Sequence, residues 1–216
     1  GHGGVGVGLY RKEYIYLTHP DVPDEQEQYE TYCRVIDAAP NRNVTIGTLD
    51  IGGDKTVPYL GHTHQEANPF LGWRSIRLLF EHPECFGPQL RAGHYAAQHG
   101  GSVRLMFPMI TTLEEINRLR GMVRRAGARL DKSSIPWQDV PVGMMLEVPA
   151  AAVAIDTMLS SVDFVSIGSN DLVQYLMAAD RDNPKVNHLC QPLAPPVLRV
   201  LRDVIRTCHN QNTPVT

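Results

Sequence analysis

The stretch VGMMLEVPAAA, residues 142–152, decides how this chain reads. Its first part is short, carries no polar residue and shows no alternation, which suits a strand buried on both faces in a parallel sheet. The run then delivers a carboxylate, Glu147, and Pro149 with three alanines opens a helix. The stretch FVSIGSNDLVQY, residues 164–175, repeats the plan: an apolar run ends in Asn170 and Asp171, where a second helix begins. Two strands that each present an acid at their exit point to chemistry rather than to packing.

Outward from these two stretches, strands and helices alternate. Residues 4–11 (GVGVGLYR) are Gly-rich and extended. Residues 24–39 read as a helix capped by Asp24, with Glu27 three residues on and Tyr29, Tyr32, Cys33 and Ile36 on one stripe. Residues 43–55 (NVTIGTLDIGGDK) are a strand and its exit loop. Residues 69–80 are expected to form a helix that the His82-Pro83 step ends, with further helix through residues 88–99. A strand at 103–110 leads into the clearest helix, 111–130, where Thr112 and Glu115 have capping-box spacing. Helices are expected at 150–159, 170–179 and 195–209, and a new strand begins at 213–216.

The pattern amounts to about five βα units and the start of a sixth. It predicts an α/β fold with a parallel sheet. A barrel and an open doubly wound sheet both produce such alternation. The barrel is favoured because polar signatures fall at the exit of strand after strand, as on the C-terminal rim of a (β/α)8 barrel. An open sheet would gather them at one switch point. The expectation is a partial (β/α)8 barrel, residues 1–216, lacking the first strand and the last ones. Both ends read as cut, with no initiator Met and no signal-peptide pattern at the start. Unpaired strand edges in such a piece are expected to promote self-association.

Bulk properties narrow the function classes. The chain has 216 residues, 43% of them hydrophobic, which is enough for a core. A net charge of −3 argues against a broad nucleic-acid footprint. No apolar run approaches the roughly 20 residues of a membrane-spanning helix. Cys33, Cys85, Cys190 and Cys208 lack zinc spacing and read as reduced, cytosolic thiols.

The strand exits carry Arg11 and Glu13, then Asp50 and the segment Gly52-Gly53-Asp54-Lys55, then Trp73, Arg74 and Arg77, then Glu147, Asn170, Asp171 and Arg181. Two carboxylates suit one hard cation such as Mg²⁺, which prefers one or two protein carboxylates with waters and substrate oxygens. Guanidinium forks suit phosphate or carboxylate groups. The DIGGDK glycines permit close backbone approach but are not a Walker loop, and GVGVG is a poor dinucleotide fingerprint. His62 and His64 read as an exposed loop pair.

The segments GVGLYRKEYIYL (6–17), TLDIGGDK (48–55), NPFLGWRSIR (68–77), LMFPMI (105–110), MMLEVPAAA (144–152) and VSIGSNDLVQYLMAADRDN (165–183) together resemble one family. It is the phosphoenolpyruvate-binding barrel of phosphoenolpyruvate–protein phosphotransferase, Enzyme I of the bacterial sugar phosphotransferase system. Pyruvate phosphate dikinase and phosphoenolpyruvate synthase share the barrel but differ around DIGGDK, and remain the close alternative. A non-catalytic phosphoenolpyruvate sensor is the alternative from another class.

The resemblance implies transfer of phosphate from phosphoenolpyruvate to a protein histidine, releasing pyruvate, in cytoplasmic sugar uptake. It implies Mg²⁺ on Glu147 and Asp171, a substrate-binding amide on Asn170, and phosphate or carboxylate contacts from Arg11, Arg74 and Arg181. Implied partners are a histidine-bearing N-terminal domain, a downstream phosphocarrier protein and a second copy in a homodimer. The family's acid cysteine and phospho-accepting histidine have no counterpart here, so no catalytic residue is assigned and the piece alone is expected to be inactive. Departures from the family pattern are Gly47, where another substrate arginine stands, Lys12, Val148 and Val173 at threonine positions, and Asp182 in place of glycine.

Overall fold

The computed structural model describes residues 6–10, 16, 22–52 and 66–216. Arg11, Lys12, Glu13, Gly53, Asp54, Lys55, His62 and His64 lie outside the described residues. The chain divides into two compact units, one of residues 1–107 and 119–141, the other of residues 108–118 and 142–216.

In the first unit, strands β1 (Val7–Tyr10), β2 (Asn43–Gly47) and β3 (Ser102–Phe107) pair in parallel in chain order. The β2–β3 register sets Val44 against Val103 and Gly47 against Met106. Helix α1 (Glu25–Ala38) begins as its sequence suggests, with Asp24 Oδ1 accepting the Glu27 amide at 2.8 Å. Tyr32, Cys33 and Ile36 are buried from its stripe, and so are Gln28 and Thr31. Helix α2 is only Ile76–Leu79, and α3 (Pro83–Gln98) starts at the first proline and carries Pro88 inside it. Phe86 and Phe107 meet edge to face at 6.1 Å in the core.

Residues 69–80 do not form the single helix expected of them. A 3₁₀ turn, Pro69–Leu71, is followed by Ser75 at φ 54, ψ −129. The Ser75 amide donates to Ile51 O at 2.9 Å instead of continuing a helical ladder. The carbonyls of Leu71 and Gly72 are taken by the Arg77 guanidinium at 2.9 and 3.0 Å. A local tertiary contact therefore outcompetes helix propagation.

Helix α4 (Leu113–Lys132) opens on a complete capping box: Thr112 Oγ1 accepts the Glu115 amide at 3.3 Å and Glu115 Oε2 accepts the Thr112 amide at 3.0 Å.

In the second unit, β4 (Val142–Leu146) and β5 (Phe164–Ile167) pair in parallel, with Leu146 opposite Ile167. All five residues of β4 are buried, as a two-sided apolar run requires. The expected helix at 150–159 is two short ones, α5 (Pro149–Val153) and α6 (Ile155–Met158), broken at Ala154, whose carbonyl accepts the Thr157 hydroxyl at 2.8 Å. Helix α7 (Ser169–Met177) ends at Ala178 in the left-handed region, and α8 (Pro195–Asn210) buries Val197, Val204 and Cys208. Val215 bridges Val165 in parallel, so the strand expected at 213–216 does begin against β5. Parallel strands alternating with helices, five βα units and the start of a sixth, give the α/β, partial (β/α)8 class. Among the described residues, no helix is long and apolar enough to cross a membrane.

Candidate functional site

The geometry starts from the β4–β5 register. Because Leu146 faces Ile167, the two strands end in step, and Gly168 donates its amide to Leu146 O at 3.0 Å. Glu147 therefore emerges beside Gly168. A Cβ on Gly168 would stand 2.6 Å from Glu147 Oε2 and 2.9 Å from Glu147 Cβ. Glycine is required here because the carboxylate lies where a side chain would begin.

The other Glu147 oxygen, Oε1, accepts the Met109 amide at 2.7 Å. Met109 presents that amide from a left-handed conformation, φ 57, in the loop after β3. Glu147 is 2% exposed. A buried carboxylate is tolerated only when it is hydrogen-bonded or paired, so its retention needs the Met109 amide at the least.

One helical turn beyond Gly168 lies Asp171, in the first turn of α7, where a negative charge also complements the helix dipole. Asp171 Oδ1 accepts Arg181 Nη1 at 2.5 Å, and Asp171 is itself buried. Arg181 can reach back because Ala178 turns the chain and Gln174 Oε1 holds the Arg181 amide at 3.1 Å. Asn170 sits exposed at the start of α7. Asp182 is also exposed, with its amide tied to Asp180 Oδ1 at 2.9 Å. Val173 is buried, and Val148 is the residue before α5, where its side chain can supply no capping oxygen.

The second unit thus brings Glu147, Asn170 and Asp171 to adjacent strand exits, with Arg181 held on Asp171 from the loop after α7. Two buried carboxylates on a rigid register match the donor set of Mg²⁺, which fills its remaining positions with water and substrate oxygens. A closed protein cage of the kind that holds zinc would need more ligands, and among the described residues no group of three or more His, Cys, Asp or Glu side chains forms one.

In the first unit, Arg74 is 5% exposed and its Nη2 donates to both oxygens of Asp50, at 3.1 and 2.9 Å. The Phe70 ring lies 5.9 Å beneath its guanidinium carbon. Gly52, at φ 107, lets the β2 exit pass against Arg74: a Cβ there would be 2.5 Å from Arg74 Cβ. Gly47 ends β2, and a Cβ there would meet Leu9 Cδ1 at 3.0 Å. A Cβ at position 47 therefore requires Leu9 to give by a few tenths of an ångström. The Asp50–Arg74 pairing and the service of Arg77 to two carbonyls were invisible to spacing. The contribution of Gly168 left a trace in its place at the end of an apolar run.

Parallel strands alternating with helices, with acids at two adjacent strand exits, place the chain among (β/α)8-type α/β domains. A family model described as PEP-utilising enzyme, PEP-binding domain matches residues 1–216, and the chain belongs to that family. Its curated relatives include the phosphoenolpyruvate-protein phosphotransferases of Priestia megaterium, 44% identical over 97% of this chain, and of Listeria monocytogenes serovar 1/2a, 45% identical over 97%. The Bacillus subtilis strain 168 protein of the same name is 44% identical over 97% of the chain. The chain spans 36–37% of the length of these relatives. Among solved structures, a citrate lyase from Burkholderia xenovorans LB400 matches 95% of this chain and 61% of its own, at TM-score 0.51 and 16% identity, a likeness of fold.

Proposed function

We propose that this chain is the phosphoenolpyruvate-binding part of a phosphotransferase that moves phosphate from phosphoenolpyruvate to a protein histidine. The observation that carries the reading is the β4–β5 register, which seats Glu147 against Gly168, one helical turn from the Asp171–Arg181 pair. Phosphoenolpyruvate is small and highly anionic, so a site for it needs a cation and guanidinium groups around buried acids that are already held.

Glu147 and Asp171 are the proposed Mg²⁺ ligands. Mg²⁺, when bound, supplies charge neutralisation for the substrate's phosphate and carboxylate. Arg181, oriented by Asp171 and Gln174, binds an anionic substrate oxygen. Arg74, and Arg11 on the family resemblance, are proposed for the other anionic oxygens, and Asn170 offers its amide from the first turn of α7. The groups of the second unit would orient the phosphorus for attack by an imidazole nitrogen; the N–P bond forms as the P–O bond to the enol oxygen breaks, and the enolate carbon takes a proton to give pyruvate. The histidine and the acid are proposed to lie outside this chain, on the histidine-bearing domain and in the remainder of the enzyme. A phosphocarrier protein would take the phosphate onward, in a cytoplasmic homodimeric enzyme of sugar uptake.

Calorimetry tests the core of this. Phosphoenolpyruvate is expected to bind with Mg²⁺ and to lose that binding in Glu147→Gln, which keeps an acceptor for Met109. Binding indifferent to the metal, or none in the wild type, refutes the reading.

Gly47 supports a second reading, a sensor that binds phosphoenolpyruvate without turning it over. One missing charge-assisted contact costs roughly 1.5–3 kcal/mol. If Gly47→Arg in the whole enzyme raises phosphotransfer, affinity alone was lost; no turnover with either residue at position 47 favours the sensor.

A further inference from the structure

The first unit contains a buried polar chain that spacing did not reveal. Gln89 Oε1 on α3 accepts the Leu49 amide at 3.2 Å, at the exit of β2. Gln89 Nε2 donates to Tyr16 Oη at 3.4 Å, and Tyr16 donates to Gln28 Oε1 on α1 at 3.2 Å. Gln28 Oε1 also accepts from Tyr32 at 3.3 Å, and its Nε2 donates to Pro23 O at 2.9 Å. Tyr16, Gln28, Tyr32 and Gln89 are each 0% exposed.

The chain is directional. Each amide oxygen accepts and each amide nitrogen donates, so Gln89 must present its oxygen to Leu49. Burying so many polar groups is tolerated only when the set is satisfied throughout, and such sets fix geometry. The residue after Leu49 is Asp50, whose two oxygens hold Arg74. The residue after that, Ile51, accepts the Ser75 amide, next to Arg74. The β2 exit is thus tied on one side to helix α3 and on the other to the segment that carries Arg74.

We propose that Gln89 is a positioning residue for Arg74. It fixes Leu49 from the far side of the network, Leu49 places Asp50, and Asp50 aims the guanidinium. The inference rests on the reading that Arg74 binds an anionic group of the substrate, but the positioning itself can be read separately.

The experiment pairs Gln89→Met, nearly the same size without the acceptor, with Tyr32→Phe, which removes a hydrogen bond at the opposite end of the network. Hydrogen exchange at residues 49–52 and 74–79 is measured together with phosphoenolpyruvate affinity in the presence of Mg²⁺. Gln89→Met is expected to speed exchange in both segments and weaken binding about tenfold, as loss of a partner for a buried amide implies. Tyr32→Phe is expected to leave both at wild-type values. Equal effects from the two variants, or wild-type exchange in Gln89→Met, overturn the assignment. Should Gln89→Met fail to fold, the Leu49 amide of the wild type is read instead, and exchange there without protection counts against the proposal. If the wild type binds no phosphoenolpyruvate, the functional reading falls while the exchange contrast still decides whether Gln89 holds the Arg74 segment.

Discussion

Gly168 shows how one residue can decide whether the proposed site can form. Its hydrogen leaves room for the Glu147 carboxylate, and a methyl group there, 2.6 Å from Oε2 and 2.9 Å from Glu147 Cβ, forces the acid to shift. Gly168→Ala is expected to cost about 1–3 kcal/mol of stability through overpacking and to displace the acid. Urea unfolding and Mg²⁺-dependent ligand binding report the two effects, and a variant normal in both rejects the role given to Gly168. The cysteines make a second residue-scale case. Burial, with a smaller push from Glu84, raises the Cys85 thiol from its ordinary 9.0 to about 11, and burial also raises Cys208 and Cys33. An unfolded thiol ionises near 9 while the folded one holds its proton, so this contribution is fully present below pH 9. It is lost as pH rises from about 9 to about 11. Equilibrium unfolding across that window checks the slope. Half-buried Cys190, whose Sγ meets Ala179 O at 3.2 Å, is expected to react first with a maleimide at neutral pH, as peptide mass spectrometry would show.

At the scale of elements, the caps were written in the chain and the breaks were not. Asp24 and the Thr112–Glu115 box were legible because a cap is a local bond between residues three apart. Asp24→Ala is expected to cost about 1 kcal/mol. Val148, which precedes α5 and supplies no capping oxygen, offers the converse: Val148→Thr should add about 0.5–1 kcal/mol. Thermal melts of both variants give the comparison, and an unchanged Val148→Thr would mean that α5 is held by packing alone. The interruption at Ser75 escaped sequence reading because its cause, the Ile51 carbonyl, lies 24 residues away in the chain. The break at Ala154 is subtler, since the run 150–159 is rich in helix formers and only the Thr157 hydroxyl hints at competition.

For the molecule as a whole, the last described residues matter to the sheet. Val165 donates to Pro214 O at 2.8 Å, Thr216 donates to Val165 O at 3.1 Å, and Ile167 donates to Thr216 O at 2.7 Å. Deleting residues 214–216 removes these three bonds from β5, the strand that leads to Asp171, and should lower stability by about 1–3 kcal/mol. An unchanged urea midpoint would show that β5 needs no partner on that side. The alternation of apolar runs and amphipathic helices fixed the α/β class, and the acids at two strand exits marked the place of the proposed site. Both signals are local, carried by hydrophobic period and by the residue that ends each run. Only the tertiary structure decided that Glu147 stands beside Gly168, that Asp171 takes Arg181, and that Asp50 and a buried glutamine chain stand behind Arg74. Those facts depend on strand register and on contacts between residues distant in sequence, and no spacing along one chain encodes which distant partners will meet.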